Sequence, residues 1–256
     1  MFTRCIVRPP AETFALGLTT AHLGVPDFSL ALQQHEAYCH ALKRCGLELT
    51  ALPPDPNYPD STFVEDTAIL TERCAVLTHP GAPSREGEAA AIRPILAQFY
   101  PRIHTITAPG TLDGGDICDA DGHFFIGISE RTNEEGARQL AEFLILEGYT
   151  ASYVDVRGVP GILHLKSGIA SLGGGHLLLM EALADHAAFE GYHRHIVPPE
   201  ETYAANCIRV NETVLVAAGF PQVGKLVENL GLPVILLNMS EFEKMDGGLS
   251  CLSLRF

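Results

Sequence analysis

Pairs of short apolar runs, each pair broken by a few polar residues, recur along the chain. Runs of this length around Gly, Asn or Asp are typical of strands joined by tight turns. The sequence therefore predicts β-hairpins, and their spacing of roughly 40 to 50 residues is in the range of repeat architectures. The hairpins are predicted at residues 66–78, 116–128, 167–180 and 206–217. A further strand is predicted at 248–256, where residues 4–7 could pair with it.

Between these strands the apolar positions change to a helical spacing. Residues 29–45 place apolar side chains on one face, and Gly46 follows as a stop signal. Residues 132–135 (TNEE) have the pattern of a capping box, which predicts a helix that continues to Gly148. Other helices are predicted at 182–189, at 222–230, and at 86–99, where Pro94 would introduce a kink.

The alternation of hairpins and helices predicts an α/β fold of five hairpin-plus-helix units, a five-bladed α/β propeller with pseudo-fivefold repeats. In such a fold the strand ends line a central axis, so side chains that are distant in sequence are expected to converge there. A two-layer sandwich with flanking helices is the alternative. No linker or shift in composition divides the chain, and residues 1–256 are predicted to form a single domain.

Composition and charge exclude several classes of function. The chain is 46% hydrophobic and 19% charged, as globular proteins are. A net charge of −14 without a basic run argues against nucleic-acid binding and favours small cations as ligands. No apolar run reaches membrane-spanning length. The seven cysteines lack C-x-x-C pairs, which favours free thiols in a reducing compartment. We expect a cytoplasmic protein that binds neither nucleic acid nor membranes.

One cysteine, one histidine and two acidic clusters are candidates for chemistry. Cys251 follows a glycine pair in a predicted apolar strand, His164 lies in ILHLKS, and the acids lie in FVED (63–66) and LDGGD (112–116). Taken singly, each has a structural explanation, as a core thiol, a structural histidine or turn-forming aspartates. These residues nevertheless share one position, because each lies beside the start of an inner strand of a repeat unit. A thiol, an imidazole and several carboxylates suit attack on a cationic carbon.

Other kinds of site have less support in the sequence. The chain has no P-loop and no dinucleotide-binding fingerprint, and the glycine run 173–175 lacks the lysine or helix start of a phosphate site. His193 and His195 share one side of a possible strand, but a histidine pair without a third ligand is a weak indication of a metal site. We therefore predict no metal and no cofactor.

Eight short motifs occur in order over the whole chain. They are the loop around Leu18, DSTFVED (60–66), GAPSR (81–85), LDGGD (112–116), SERTN (129–133), LHLKS (163–167), ANC (205–207) and DGGLSC (246–251). Together they resemble the dimethylarginine dimethylaminohydrolases, which belong to the pentein superfamily of guanidino-modifying proteins. That resemblance also implies the five-bladed α/β propeller.

The resemblance implies the catalytic residues and the reaction. Cys251 is the expected nucleophile and His164 the general acid and base, with Asp113 supporting the histidine. The implied reaction hydrolyses asymmetric dimethylarginine or monomethylarginine to citrulline and a methylamine, through a covalent thiouronium on Cys251. The thiol could lose its proton because His164 is charged, or because the cationic substrate itself lowers the pKa of the thiol.

The resemblance also implies how a small guanidino amino acid binds. Carboxylates are expected to pair with the guanidinium, arginines are expected to hold the substrate's α-carboxylate, and a flexible loop is expected to close over the site. The carboxylates are Glu65 and Asp66 with Asp60 as a helper, the arginines are Arg85 and Arg131, and the loop contains Leu18.

Lys166 separates the preferred function from its rivals. Arginine deiminases resemble this superfamily but have an aspartate two residues after the histidine, whereas this chain has Lys166. Because a lysine accepts no hydrogen bonds, the far side of the guanidinium could hold methyl groups. The alternatives are an arginine deiminase-like or other guanidino hydrolase or amidinotransferase, and a non-catalytic binding or scaffold protein of the same fold. A homodimer is compatible with an edge-rich fold.

Overall fold

Fifteen strands form five three-stranded sheets. The structure is a computed structural model that describes residues 1–256. The strands are β1 (Arg4–Val7), β2 (Glu48–Ala51), β3 (Ala68–Leu70), β4 (Ala75–Leu77), β5 (Ile103–Thr105), β6 (Ile117–Ala120), β7 (His123–Ile128), β8 (Thr150–Asp155), β9 (Ile169–Gly173), β10 (His176–Met180), β11 (His193–Val197), β12 (Ile208–Val210), β13 (Thr213–Ala217), β14 (Val234–Leu237) and β15 (Ser253–Arg255). The helices are α1 (Phe28–Arg44), α2 (Glu88–Leu96), α3 (Glu134–Leu146), α4 (Pro221–Asn229) and α5 (Ser240–Glu243).

The five sheets have related strand orders. The sheet orders are β15-β1-β2, β3-β4-β5, β6-β7-β8, β9-β10-β11 and β12-β13-β14. The hairpins β3–β4, β6–β7, β9–β10 and β12–β13 are antiparallel, and so is the pair β1–β15, as the sequence predicts. In four sheets the third strand is parallel to the second, which requires a crossover connection. The helices α1, α2, α3 and α4 make those four connections.

The predicted fold class is thereby confirmed, with two corrections to its elements. The strands β2, β5, β8 and β14, which follow the connecting helices, are absent from the prediction because they lack the turn signal of a hairpin, whereas the possible strand at His193 and His195 is β11. The helix predicted at 182–189 is wrong, because that segment forms two 3₁₀ turns, Glu181–Leu183 and Ala187–Phe189. There the His186 ring accepts a hydrogen bond from the Ala188 N–H, which competes with helical backbone pairing.

The other predicted helices are confirmed, including α2 with Pro94 inside it. The start of α3 differs in detail, because Asn133 and not Thr132 caps it: the Asn133 Oδ1 accepts from the Gly136 N–H at 2.8 Å. Its end at Gly148, with φ of +83°, is as predicted. The Thr132 hydroxyl instead donates to the buried Asp116 carboxylate.

The chain divides into two compact units, residues 1–64 with 197–256, and residues 65–196. The first has one apolar core, built around Phe14, Tyr38 and Phe242. The second has two cores, one between α3 and the strands around Val76 and the other around Phe125. The prediction of a single domain stays a prediction. None of the helices has both the length and the apolar character that crossing a bilayer requires.

Candidate active site

His164 lies at the start of a 3₁₀ turn, Leu165–Ser167, that leads into β9. The residue is buried, and its Nε2 lies 3.0 Å from Asp113 Oδ2. Asp113 precedes another 3₁₀ turn, Gly114–Asp116, which packs closely on the ring. A Cβ on Gly115 would lie 2.7 Å from the His164 Nδ1, so a glycine is required there. The LDGGD motif thus supplies the hydrogen-bond partner of the imidazole, Asp113, and a backbone at Gly115 that packs against the ring.

Acidic neighbours keep His164 charged at neutral pH. Burial by itself lowers the pKa of a histidine, because it penalises the charged form. The carboxylates of Asp66, Asp116 and Asp113 outweigh this effect and raise the pKa of His164 from 6.5 to about 9. The imidazole is therefore suited to give a proton to a leaving group. Although Asp113 is one methylene shorter than a glutamate, its hydrogen bond to His164 is formed.

Asp66 is a buried carboxylate in which both oxygens accept hydrogen bonds. Oδ1 accepts from the Gly115 N–H at 2.8 Å, and Oδ2 from the Arg85 Nη1 at 2.6 Å. Burial opposes its ionisation, but the charges of Arg85 and His164 hold its pKa below the ordinary value. Each carboxylate oxygen has a second lone pair, so Asp66 retains capacity for a cationic N–H.

Arg85 lies between two carboxylates. Besides Asp66 it contacts Glu88, with 2.7 Å between Nη2 and Oε2. The sequence prediction gives Glu88 no role, because this residue lies outside the GAPSR motif. It follows Arg85 by three residues and lies on the first turn of α2. The structure therefore shows Arg85 as the charge partner of Asp66, and its predicted contact with the substrate α-carboxylate stays a prediction.

Asp116, the second aspartate of LDGGD, connects the loop at 129–133 to the histidine turn. Its Oδ2 accepts from the hydroxyls of Ser129 and Thr132, each at 2.7 Å, and its Oδ1 accepts from the Leu165 N–H at 2.9 Å. Burial raises the pKa of its carboxyl group. The sequence prediction gave Asp116 no role, although its spacing from Asp113 within one motif was the available signal.

Glu65, which is buried, forms an ion pair with the half-buried Lys166. The Lys166 Nζ lies 2.6 Å from the Glu65 Oε1, and the two side chains are 16% and 5% exposed. The residue that distinguishes the chain from the arginine deiminase pattern is thus in contact with a predicted guanidinium-binding carboxylate. The role of Glu65 in binding a guanidinium stays a prediction.

Arg131 belongs to a loop that packs against the GAPSR loop. A Cβ on Gly81 would lie 2.2 Å from the Arg131 carbonyl oxygen, and the Gly81 N–H donates to Asp113 Oδ1 at 2.8 Å. The Arg131 N–H donates to the Ser129 hydroxyl. These contacts bring the backbones of both arginine-bearing loops near Asp113, and the substrate contact of Arg131 stays a prediction.

Cys251 lies in a 3₁₀ turn, Ser250–Leu252, just before β15, and the prediction that it lies in a strand is wrong. The turn buries Leu249 and Leu252, which are three residues apart, and leaves Cys251 half-buried. The Gly248 N–H points to its sulfur, with 3.4 Å between N and Sγ. The Asn206 Oδ1 accepts from the Ser250 N–H at 2.9 Å and thereby holds the turn.

Leu18 lies in a segment that two aspartates tether. Its N–H donates to both oxygens of Asp60, at 3.1 and 3.2 Å, and its side chain is exposed. The Asp246 carboxylate accepts from the N–H and the hydroxyl of Thr20. Asp60 thus acts on the backbone of this segment, and its contact with substrate stays a prediction, as does closure of the loop.

Two groups of side chains have donor sets that metals use. Ligand atoms of Asp66, Asp113 and His164 all lie within 4.8 Å of one another. The pair His193 and His195, which the sequence offers only as a weak indication of a metal site, has a third ring beside it. The His176 Nδ1 lies 2.9 Å from the His195 Nε2, and the His176 ring stacks on His193. The sequence prediction missed His176 because it lies on the neighbouring strand, β10.

Comparisons with known proteins identify the family. A family model described as arginine deiminase matches residues 29–158. The N(G),N(G)-dimethylarginine dimethylaminohydrolase of Pseudomonas aeruginosa is 46% identical over the full length of both chains. The chain belongs to the dimethylarginine dimethylaminohydrolase family. A Streptomyces coelicolor dimethylarginine dimethylaminohydrolase is 34% identical, over 98% of this chain and 96% of its own.

Solved structures of the dimethylarginine dimethylaminohydrolase family match equally closely. The P. aeruginosa enzyme, solved as a Cys-to-Ser mutant complexed with citrulline, superimposes with a TM-score of 0.97 over all of both chains, at 46% identity. A His-to-Gly variant of a dimethylarginine dimethylaminohydrolase was solved as an adduct with S-methyl-L-thiocitrulline, and it gives the same TM-score. The resemblance inferred from eight motifs is thus confirmed over the whole chain.

Proposed function

We propose that this protein hydrolyses N-ω-methylated arginines, asymmetric dimethylarginine and monomethylarginine, to citrulline and the corresponding methylamine. The observation that carries the proposal is the buried, charged His164 hydrogen-bonded to Asp113 beside the ionised Asp66. A cationic acid next to an anion suits departure of an amine from a guanidinium. Membership of the dimethylarginine dimethylaminohydrolase family supports the choice of substrate.

Binding is proposed to depend on carboxylates. Asp66 pairs with the guanidinium N–H groups, and charge-assisted bonds of this kind fix the plane of the group. Arg85 keeps Asp66 ionised, and Arg85 and Arg131 are proposed to attract the α-carboxylate. Glu65 and Asp60 complete the acidic surroundings, and the tethered segment around Leu18 is proposed to cover the bound amino acid.

The chemical steps use one nucleophile and one acid–base group. The Cys251 thiolate attacks the guanidinium carbon and forms a C–S bond, giving a tetrahedral adduct. His164 donates its proton to the methylated nitrogen, the C–N bond breaks, and a thiouronium remains on Cys251. His164 then takes a proton from water, which adds to the same carbon. Cleavage of the C–S bond, with loss of the adduct's hydroxyl proton to solvent, releases citrulline and restores the thiolate.

The Glu65–Lys166 ion pair supports methylated arginine over arginine. With its ammonium on Glu65, Lys166 supplies an alkyl stem and no hydrogen-bond acceptor. An unmethylated nitrogen has N–H groups to satisfy, whereas a dimethylated nitrogen has apolar surface to bury. Arginine deiminase-like activity is the second candidate, which the arginine deiminase family model over residues 29–158 favours.

The test is product analysis with matched cysteine variants. Asymmetric dimethylarginine, monomethylarginine, arginine and agmatine are each incubated with the protein, and citrulline, methylamines and ammonia are quantified. We expect one dimethylamine per citrulline from dimethylarginine, and little turnover of agmatine. Cys251→Ser should abolish turnover, while Cys45→Ser, a change at another half-buried cysteine, should leave the rate near that of the wild type.

Three outcomes would contradict the proposal. Ammonia from arginine with no methylamine from methylated substrates would assign a deiminase. Near-native turnover by Cys251→Ser would remove Cys251 from the mechanism. Failure of an electrophilic haloacetamidine to label Cys251 at neutral pH, together with no turnover of any substrate, would indicate a scaffold protein.

Two further properties belong to the proposal. We propose a reducing, cytoplasmic location, which is supported by the lack of any disulfide among the seven cysteines. A homodimer is also proposed, and size-exclusion chromatography with light scattering would test it.

A further inference from the structure

A cysteine, a histidine and a glutamate converge at a place that the catalytic proposal does not use. The Cys74 Sγ, a ring nitrogen of His104 and a carboxylate oxygen of Glu147 all lie within 4.8 Å of one another. We call these three residues the 74/104/147 cluster. It shares no residue with the His164 site, and the eight family motifs contain none of its members. Thiolate, imidazole and carboxylate are the three donor types that zinc uses in proteins.

Three regular elements supply the cluster. In the parallel pair of β4 and β5, Val76 is opposite His104. Cys74 is two residues before Val76 and therefore points to the same face of the sheet, where α3 packs. Glu147 is the C-cap of α3, so its side chain leaves the helix at the edge of that face. His104 lies in β5, Cys74 directly precedes β4 and Glu147 follows the last residue of α3, so regular elements hold all three ligands in position.

The spacing within the cluster fits a tetrahedral ion. The His104 Nε2 lies 3.4 Å from the Glu147 Oε1, which is long for a charge-assisted hydrogen bond. Two ligands about 2.0 Å from a tetrahedral zinc ion lie about 3.3 Å apart. The imidazole and the carboxylate are therefore already at the separation that two zinc ligands would have.

Other side chains hold each ligand from outside. The Thr71 hydroxyl lies 3.6 Å from the Cys74 sulfur, and the His104 ring stacks on Phe143 with 4.5 Å between centroids. Arg102 pairs with the Glu147 Oε2 at 3.2 Å, which leaves Oε1 directed at His104. Outer contacts of this kind orient metal ligands.

Two arginines also explain why a carboxylate is tolerated at this position. A helix C-terminus carries partial negative charge and disfavours an acidic side chain. Here Arg73 donates to the Glu147 carbonyl oxygen, and Arg102 contacts its carboxylate. Glu147 is 5% exposed, so a buried anion is kept beside a buried thiol.

We propose that the 74/104/147 cluster binds a zinc-type divalent cation, with Cys74, His104 and Glu147 as ligands and water in the fourth position. The ion replaces the proton of the Cys74 thiol, which passes to solvent as the S–metal bond forms. Entry is from the side of His104 and Arg102, whose side chains are 20% and 62% exposed. The ion joins β4, β5 and the end of α3, so its role is to stabilise the unit 65–196.

Cobalt(II) spectroscopy tests the proposal on the full-length protein. The Cys251→Ser variant is used throughout, so that the proposed catalytic thiol cannot contribute. Binding of Co²⁺ should produce thiolate-to-cobalt charge-transfer absorption with a stoichiometry of one, and Zn²⁺ should displace it. The same Zn²⁺ addition should raise the Tm by several degrees.

Variants assign the ligands. Cys74→Ala in the same background should abolish the charge-transfer band, and His104→Gln, a change at a partly exposed residue that does not threaten folding, should weaken binding at least tenfold. Cys118→Ala, which removes another buried thiol, is the matched control and should leave both signals unchanged. Absence of the band in Cys251→Ser, or its persistence in Cys74→Ala, would overturn the proposal.

Discussion

Asp113 and Asp116 are three residues apart and yet have different partners. Asp113 is hydrogen-bonded to the His164 ring, whereas Asp116 accepts from two hydroxyls and a backbone N–H. Both contribute to the raised pKa of His164, but only Asp113 contacts the ring directly. Both aspartates therefore raise the proton affinity of the imidazole, and Asp116 in addition holds the backbone of the histidine turn in position.

Replacing Asp113 by asparagine should make His164 a stronger acid. Loss of an adjacent opposite charge lowers a pKa by about 1 to 3 units, starting here from about 9. Since the proposed acid must be protonated, the alkaline limb of the kcat profile should move to lower pH. Asp113→Glu keeps the charge and should keep the limb in place. A uniform loss of rate in Asp113→Asn, without movement of the limb, would contradict this role.

At the residue scale, the sequence predicted which kinds of side chain form the candidate site better than it predicted which of them contact one another. His164, Asp113 and Asp66 lie together, as the motifs imply. The ion pairs of Arg85 and Lys166 were not predictable, because a charged residue in a motif does not reveal which opposite charge it meets. That choice depends on which side chains share burial in the folded chain.

At the scale of elements, periodicity predicted the hairpins and helices but not the details of their ends. Thr132 and Asn133 both suit a helix cap, and the choice between them is made by Asp116, which draws the Thr132 hydroxyl away. Cys251 lies in a turn because Leu249 and Leu252, three residues apart, are both buried. In the sequence this spacing is hard to recognise, because the same segment also predicts an apolar strand. Tertiary contacts decide between local alternatives of similar energy.

Two helix glycines show what such contacts do to stability. Gly224 in α4 has open surroundings, since an added Cβ would lie 3.8 Å from its nearest neighbour, Leu236. Gly136 in α3 has no room for a side chain, since a Cβ would lie 2.0 Å from the Thr111 carbonyl oxygen. In the sequence both are simply glycines within helices.

Gly224→Ala should therefore stabilise the protein by about 0.5 to 1 kcal/mol, because it removes the flexibility of a glycine in a helix. Gly136→Ala should destabilise it by about 1 to 3 kcal/mol, because the backbone must move to admit the methyl group. Urea unfolding measures both changes. Equal effects of the two substitutions would show that helix propensity, and not the close contact with Thr111, determines the outcome.

At the scale of the whole molecule, an acidic protein places its buried charges where a few cations balance them. The net charge is −14, yet His164, Arg85 and Lys166 each meet buried carboxylates. The cost of burying each charge is offset only while its partner is ionised. Stability should therefore depend on pH through these clusters, in addition to the general effect of net charge.

His164 gives that dependence a defined sign. Its pKa is about 9 in the folded protein against an ordinary 6.5, so the folded state binds its proton more tightly. This shift corresponds to about 3 kcal/mol of stability, fully present below pH 6.5 and lost as the pH rises through about 9. Asp66, whose pKa is lowered, acts oppositely: its contribution is present above the ordinary value of 3.8 and is lost as the pH falls below it.

The measurement is the free energy of unfolding of the wild type and of His164→Gln between about pH 6 and about pH 10. Groups that do not interact with His164 titrate alike in both proteins, so their effects cancel in the difference between the two curves. We expect that difference to be largest near pH 6 and to shrink by about 3 kcal/mol as the imidazole loses its proton. Parallel curves would mean that the acidic cluster does not hold His164 in its charged form.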